Sequence, residues 1–369
     1  MTDGQTLNVF VPEAPSFLPA EFLKSFVAEI FSTPERVANA SALIGAPLAL
    51  ACLDSLGGDA FERAGIERDT LLRQAQIAAV TSRQKRRAML DLLAALTQQN
   101  IPNLAIKGLA GAYMLYPAPY LRLLPDADIL VPKSKLGALT QLLRERDFVT
   151  RTDPASDRAW GALTKASFAP VTPRDGPEFF IDFHRLVVDF PACRAVPTED
   201  IFAAARLVET EQDSLRVPGE AHSFVILVLH AFRDFYEPRG LKSLFDAALL
   251  LSGRPPEWPA IEAMARHGRF VGRTLFYRDL LAEIGIGGTE GLFAGRCLSP
   301  AGQHLVRRVA DNMRSLALPR LPDGFKLKLE MSLYDSPLHL LRRNGERLAG
   351  LLIRRTHELP GLPTEEADA

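Results

Sequence analysis

The chain has 369 residues, 47% of them hydrophobic and 24% charged, an ordinary soluble composition with room for two or three domains at about 100–200 residues each. A chain this long buries a full core and needs neither disulfides nor a structural metal to fold. The 43 Lys and Arg residues against 44 Asp and Glu leave a net charge of -1, so no whole-protein field draws in nucleic acid or an anionic membrane. Cys52, Cys193 and Cys297 stand apart with no CxxC pair, neither a disulfide framework nor a zinc signature. They fit a reduced compartment as small apolar core residues. The start, MTDGQTLNVF, lacks a basic n-region. The most apolar stretch, Leu43–Leu53, contains Gly45 and Pro47 and is far short of the roughly 20 residues that span a bilayer. The expectation is a cytoplasmic protein.

In chain order, the region to about Asn100 reads as helical. Leu71, Leu72, Ala75, Ile77, Ala78 and Ala79 recur at helical spacing, as do Met89, Leu92, Leu93 and Leu96. The basic run between them, Arg83–Arg87, could be a nucleic-acid patch, but so short a run reads better as a solvated helix face. Ile101-Pro102 breaks the helix. Asn103–Ile106 reads as a short buried strand, ended by Lys107-Gly108, and Leu109–Leu115 as a short helix. Pro117 and Pro119 punctuate a loop. Ala127–Val131 is a second strand, closed by Pro132, and Leu136–Leu143 a helix with one apolar side. Phe148–Thr150 begins a third strand, Asp153–Pro177 is loop and irregular strand, and Phe179–Phe183 is a strand running into His184. From about Glu220 the chain is helical again, through Phe224–Phe232 and Leu241–Leu251. A basic, leucine-rich segment begins near Pro319, carrying Arg342, Arg343, Arg347, Arg354 and Arg355. The polar tail Thr364–Ala369 is expected to be disordered.

Chemistry concentrates in Asp126-Ala127-Asp128. Residues two apart in a strand share a face, so the two carboxylates project together. Like charges this close raise one pKa unless a cation sits between them, and a hard divalent ion with oxygen ligands resolves the conflict. Asp182, inside the aromatic run Phe179–Phe183, alternates away from Ile181 and Phe183 and is the candidate third acid for the two-metal arrangement of phosphoryl transfer. Lys107-Gly108 lies at a strand-to-helix turn, where glycine permits close backbone approach and the helix start favours anions. Lys107 and Arg122 are the candidates to meet phosphates, although KGLAG lacks the order of a Walker A loop. Each of these residues also has a plainer reading. DxD pairs are common in surface turns, an isolated Asp often caps or pairs, and a lone Lys often lies along the surface. His184 fits a core or supporting histidine as well as a catalytic one, His230 reads as structural, and His357-Glu358 does not continue to HExxH.

Taken together, the stretch IKGLAGAYMLYPAPYLRLLPDADILV resembles a bacterial family usually called uncharacterised nucleotidyltransferases, within the DNA polymerase β-like superfamily. The matching positions are Lys107, Gly108, Tyr116, Pro117, Arg122, Asp126, Asp128 and Ile129–Val131. Ile181-Asp182-Phe183-His184 resembles the family's later strand, and His230 and Asp246 its downstream helices. The resemblance covers roughly residues 82–251. Two departures stand out: Lys107-Gly108 where the superfamily has Gly-Ser, and Pro125 where Gly or Ser often precedes the first Asp.

The resemblance implies an α+β fold, a small mixed β-sheet core flanked by N-terminal and C-terminal helical regions. The corresponding divisions are residues 1–99, 100–215, 216–363 and a tail, 364–369. It also implies transfer of a nucleoside monophosphate from an NTP, with Mg2+ (or Mn2+) held by Asp126, Asp128 and Asp182. Lys107, Gly108 and Arg122 would contact nucleotide and His184 would support the site. The acceptor, whether small molecule, peptide, protein or glycan, is not identified. No membrane or strong nucleic-acid signal accompanies it. The competing readings are an inactive nucleotide-binding relative and a helical scaffold in a biosynthetic complex.

Overall fold

The computed structural model describes residues 20–150, 167–187, 192–234 and 240–316, together with 341, 362 and 363. The basic C-terminal arginines and the polar tail lie outside the described residues, as does much of the loop before Pro177. The fold is α+β, as the sequence indicates.

Five helices come first: α1 (Ala20–Ile30), α2 (Pro34–Ile44), α3 (Ala46–Leu56), α4 (Ala60–Ala64) and α5 (Arg68–Gln98). The two apolar stretches read separately near residues 71–79 and 89–96 belong to the single helix α5, because no Gly or Pro interrupts 68–98. Its inward stripe buries Leu71, Ala75, Ala79, Met89, Leu93 and Leu96, whereas Ile77 is 69% exposed. Arg86 departs from the expected solvated run. It is buried against Glu211, with its Nη1 donating to Ser82 Oγ. Asn100 adopts φ 53 beyond the helix end, a left-handed exit that Asn tolerates well, and Pro102 prevents continuation.

The core elements follow: β1 (Leu104–Ile106), α6 (Lys107–Met114), β2 (Asp126–Leu130), α7 (Leu136–Glu145), β3 (Phe148–Thr150), β4 (Val171–Pro173) and β5 (Phe180–His184). Strand order is β1-β2-β5-β4-β3. The β2–β5 pair is parallel and its neighbours are antiparallel, making a mixed sheet. Alternation divides its residues between two cores. Ala105, Ala127, Ile129, Ile181 and Phe183 pack with the second half of α5 and with α6 and α7. Leu104, Ile106 and Leu130 point the other way, into the main helical core. The polar residues Asp126, Asp128, Asp182 and His184 lie on that second face, in register with Leu130 and Phe180.

Beyond the sheet come α8 (Thr198–Ala203) and a separate hairpin, β6 (Arg206–Glu209) with β7 (Ser214–Val217). The helices α9 (Glu220–Asp234), α10 (Leu241–Gly253), α11 (Trp258–Gly268), α12 (Val271–Ile284) and α13 (Pro300–Ser315) complete the described elements. Cys52 is buried as expected, while Cys193 is half-buried and Cys297 exposed. On the far edge of the sheet, Leu362 is buried in the core behind β3, and the Thr150 N–H donates to the Pro363 carbonyl at 2.8 Å.

Ile129 is fully buried at the centre of the parallel pair. Replacing it by Ala should destabilise the protein by about 2–5 kcal/mol through lost burial and a residual cavity. A urea titration should show a lower midpoint with an unchanged slope.

Candidate functional site

Strand β2 carries the site because its register is fixed on both sides. Ile106 pairs with Asp128 across the antiparallel β1 edge, and Asp182 pairs with Asp128 across the parallel β5 edge. A one-residue slip would turn the acids into the apolar core, so burial of Ala127 and Ile129 enforces the placement. His184 follows Asp182 by two and shares its face. One ligand atom each from Asp128, Asp182 and His184 lies within 4.8 Å of the others. Asp126, one pleat earlier on the same face and half-buried, is outside that tight group.

Asp128 is the hub. Its Oδ1 accepts from the Lys107 ammonium at 2.6 Å and from His184 Nε2 at 2.7 Å. Burial alone would raise its carboxyl, but the Lys107 charge and the His184 hydrogen bond outweigh that effect and hold it well below the usual carboxylate range. An ionised Asp128 only accepts, so His184 Nε2 carries the proton in this contact. Burial, helped by the Lys107 charge, pushes His184 below the ordinary histidine value, favouring the neutral ring. Its other nitrogen, Nδ1, is buried without a hydrogen-bond partner. Asp126 moves the opposite way. Burial and the neighbouring Asp128 charge raise it, against the pull of Lys107, Lys242 and His230. His230, read from sequence as structural, therefore lies within electrostatic reach of the site. So does Lys242, on which sequence reasoning was silent; its one signal is the spacing of four residues that puts it on the Asp246 face of α10.

Lys107 reaches Asp128 from an unusual backbone. It has φ 54 at the turn from β1 into α6, a left-handed conformation that costs a side-chain-bearing residue about 1–2 kcal/mol. At Gly108 a Cβ would come 3.1 Å from Leu124 Cδ2. Glycine therefore lets the start of α6 close onto the segment leading to β2. Lys107 also borders a small recess between α6 and α9, walled by Ala110, Met114, Leu115, Ile226 and Leu227.

Arg122 is 8% exposed and faces the helical body. Its Nε and Nη2 donate to the two carboxylate oxygens of Asp246, each at 2.8 Å, and its Nη1 donates to the Leu123 carbonyl at 2.8 Å. Tyr116 OH donates to the same carboxylate at 2.9 Å. Burial opposes the Arg122 charge, but Asp246 more than restores it. Burial and Asp246 together keep the Tyr116 phenol protonated. The sequence places Asp126, Asp128, Asp182, Lys107 and His184 on elements that meet here, while Arg122, on the segment leading into β2, turns its guanidinium to Asp246 on α10. The Arg122–Asp246 pair spans 124 positions, and only the joint resemblance of both residues to the family hinted at it.

Two carboxylates and an imidazole this close make a donor set that fits a divalent cation. A carboxylate-rich floor beside a lysine at a helix start is chemically suited to a metal-bound polyphosphate. A family profile described as uncharacterised nucleotidyltransferase matches residues 36–284, well over half of the chain. Among solved structures, the chain is similar to the crystal structure of an antigenic nucleotidyltransferase-like protein from Paracoccidioides brasiliensis. The two share 14% identity at a TM-score of 0.39, over 57% of this chain and 97% of that one. No curated protein matches it. Among the described residues no helix is long and apolar enough to cross a membrane.

Removing the Asp246 carboxylate strands a buried guanidinium. Asp246→Ala should cost about 3–5 kcal/mol, and the double variant Arg122→Met with Asp246→Leu should recover a large part of that loss. Additive losses in a double-mutant cycle followed by thermal melting would contradict direct coupling.

Proposed function

The chain belongs to the family of uncharacterised nucleotidyltransferases, and on that premise we propose that it moves a nucleoside monophosphate from an NTP onto an acceptor hydroxyl or phosphate. The observation that carries this reading is the parallel register of Asp128 with Asp182, which gathers two acids and His184 beneath Lys107. Asp128 and Asp182 would hold a divalent ion, with Asp126 as the outer carboxylate and His184 supporting Asp128 through its Nε2–H. Mg2+ and Mn2+ both suit such carboxylate oxygens. The ion supplies positive charge against the triphosphate and the departing pyrophosphate.

The protein's own groups do the remaining work, mostly by position and fixed charge. Lys107 meets the β- and γ-phosphates at the start of α6, and Gly108 lets that backbone come close. The acceptor oxygen attacks the α-phosphorus and forms the new P–O bond. The bond from the α-phosphorus to its bridging oxygen breaks, and pyrophosphate leaves. Asp182 stands where it can take a hydroxyl acceptor's proton. Arg122 contributes indirectly, by tying the segment before β2 to α10 through Asp246. The helices α9 and α10, facing Lys107 across the recess, form the wall where an acceptor is chosen. In this reading the sheet region is the catalytic core and the later helices the acceptor side.

The test is a transfer assay with each NTP, Mg2+ or Mn2+, and cell extract as acceptor source, run beside thermal melting. Asp126→Asn and Asp128→Asn should each abolish transfer while leaving a cooperative melt. In the unsubstituted protein, metal plus the correct NTP should raise the melting temperature by mass action, by about 2.7 kcal/mol of stabilisation at a hundredfold excess over Kd. Stabilisation without product would favour a nucleotide-binding relative. No response to any NTP or metal would leave a scaffold.

A further inference from the structure

One oxygen of Asp128 is already engaged twice. Its Oδ1 receives the Lys107 ammonium at 2.6 Å and the His184 imidazole N–H at 2.7 Å. A carboxylate oxygen offers two lone pairs, so a cation that ligates Oδ1 has to displace one of these donors. The two are not equally movable. His184 is 4% exposed and fixed on β5, inside the sheet. Lys107 is a point charge on a flexible four-carbon stem. Its side chain is 15% exposed and borders the recess between α6 and α9.

We propose that Lys107 is a displaceable counter-ion for Asp128, so that a divalent cation and the Lys107 ammonium compete for one oxygen, and the freed ammonium then binds the polyphosphate. The inference rests on the metal-site reading above and adds a coupling to it. Without nucleotide, Lys107 neutralises Asp128 and opposes metal entry. With a triphosphate present, the lysine has a better anion, and the cation takes its place. By linkage, each ligand then favours the other. The residue thus acts in opposite senses on two ligands. It weakens the binding of the metal alone and strengthens the binding of polyphosphate once metal is bound. A lysine that served only as a phosphate contact, or only as a structural ion pair, would not show that inversion.

The experiment uses the full chain and two probes, Mn2+ alone and inorganic tripolyphosphate at saturating Mn2+. Mn2+ binding is read by electron paramagnetic resonance of the free ion, and tripolyphosphate binding by calorimetry. Lys107→Met removes the charge while keeping a similar length. The left-handed backbone at this position strains Met as it does Lys, and circular dichroism checks the fold, with Lys107→Gln as a second neutral variant. Both neutral variants should bind Mn2+ on the order of tenfold more tightly than the unsubstituted protein, since an ammonium no longer repels the ion at contact distance. Both should bind tripolyphosphate at saturating Mn2+ on the order of tenfold more weakly. Lys107→Arg should stay near the unsubstituted protein in Mn2+ affinity. Equal Mn2+ affinity in the neutral variants and the unsubstituted protein would overturn the competition. If Asp128→Asn still weakened Mn2+ binding in that case, the metal site itself would stand. Mn2+ binding that is absent, or indifferent to Asp128→Asn, would overturn both.

Discussion

Asp128 lies directly opposite Asp182 in the parallel β2–β5 pair and two residues from Asp126 on one strand face, and the crowding of carboxylates there is the constraint to which the surrounding structure answers. Like charges across a strand pair destabilise a sheet, and here one partner is also buried. The compensation comes from different parts of the chain. Lys107 arrives from the end of β1 and His184 from the end of β5, and both meet the same oxygen. Asp126 receives less help and is pushed upward in pKa instead. The two acids of one DxD pair thus sit in opposite electrostatic states, one held ionised and one eased toward protonation. Such divergence is frequent where charge is handled for a purpose.

The geometry that makes this possible depends on the two cores. One side of the sheet is sealed by α5, α6 and α7, which fixes the strands and leaves no latitude in register. The other side, which carries the acids, faces the helices of the main core. The buried Arg122–Asp246 pair with Tyr116 joins these layers beside Asp126, whose charge Arg122 feels. It ties the segment entering β2 to α10. A buried ion pair adds little net stability over an apolar alternative, but its directional hydrogen bonds define one relative placement of the groups they join.

Much of this was legible in the sequence. The periodicity of α5, the proline at 102, the apolar run after Asp128 and the alternation around Asp182 mark local features, and local features decide elements and faces. The same alternation, together with the family resemblance, singled out Asp126, Asp128 and Asp182 and placed Lys107 at its turn. What alternation cannot encode is which strand lies next to which. The parallel pairing that sets His184 beside Asp128 spans 56 positions, and the Arg122–Asp246 pair more than twice that. Arg122 looked like a phosphate ligand because its position before the DxD strand is suggestive, while its partner lay far along the chain. The hairpin β6–β7 escaped notice because it lacks a turn dipeptide and its strands are only four residues each, whereas β4 falls in the stretch read as loop and irregular strand. Arg86 was read as solvated because its acceptor, Glu211, is also distant in sequence.

The other margin of the sheet has its own consequence. Strand β3 is the outermost strand of the five, and such margins invite pairing with another chain. Here the Thr150 N–H is met by the carbonyl of Pro363, with Leu362 tucked into the core beside it. Proline has no N–H to return to the ladder. The contact therefore satisfies a donor of β3 without extending hydrogen bonding outward, and the late segment caps the strand where a sixth would otherwise begin. Cleavage or truncation ahead of residue 362 would remove that stopper, and its first symptom would be self-association in a chain whose carboxylate cluster, on the opposite face of the same sheet, remained intact.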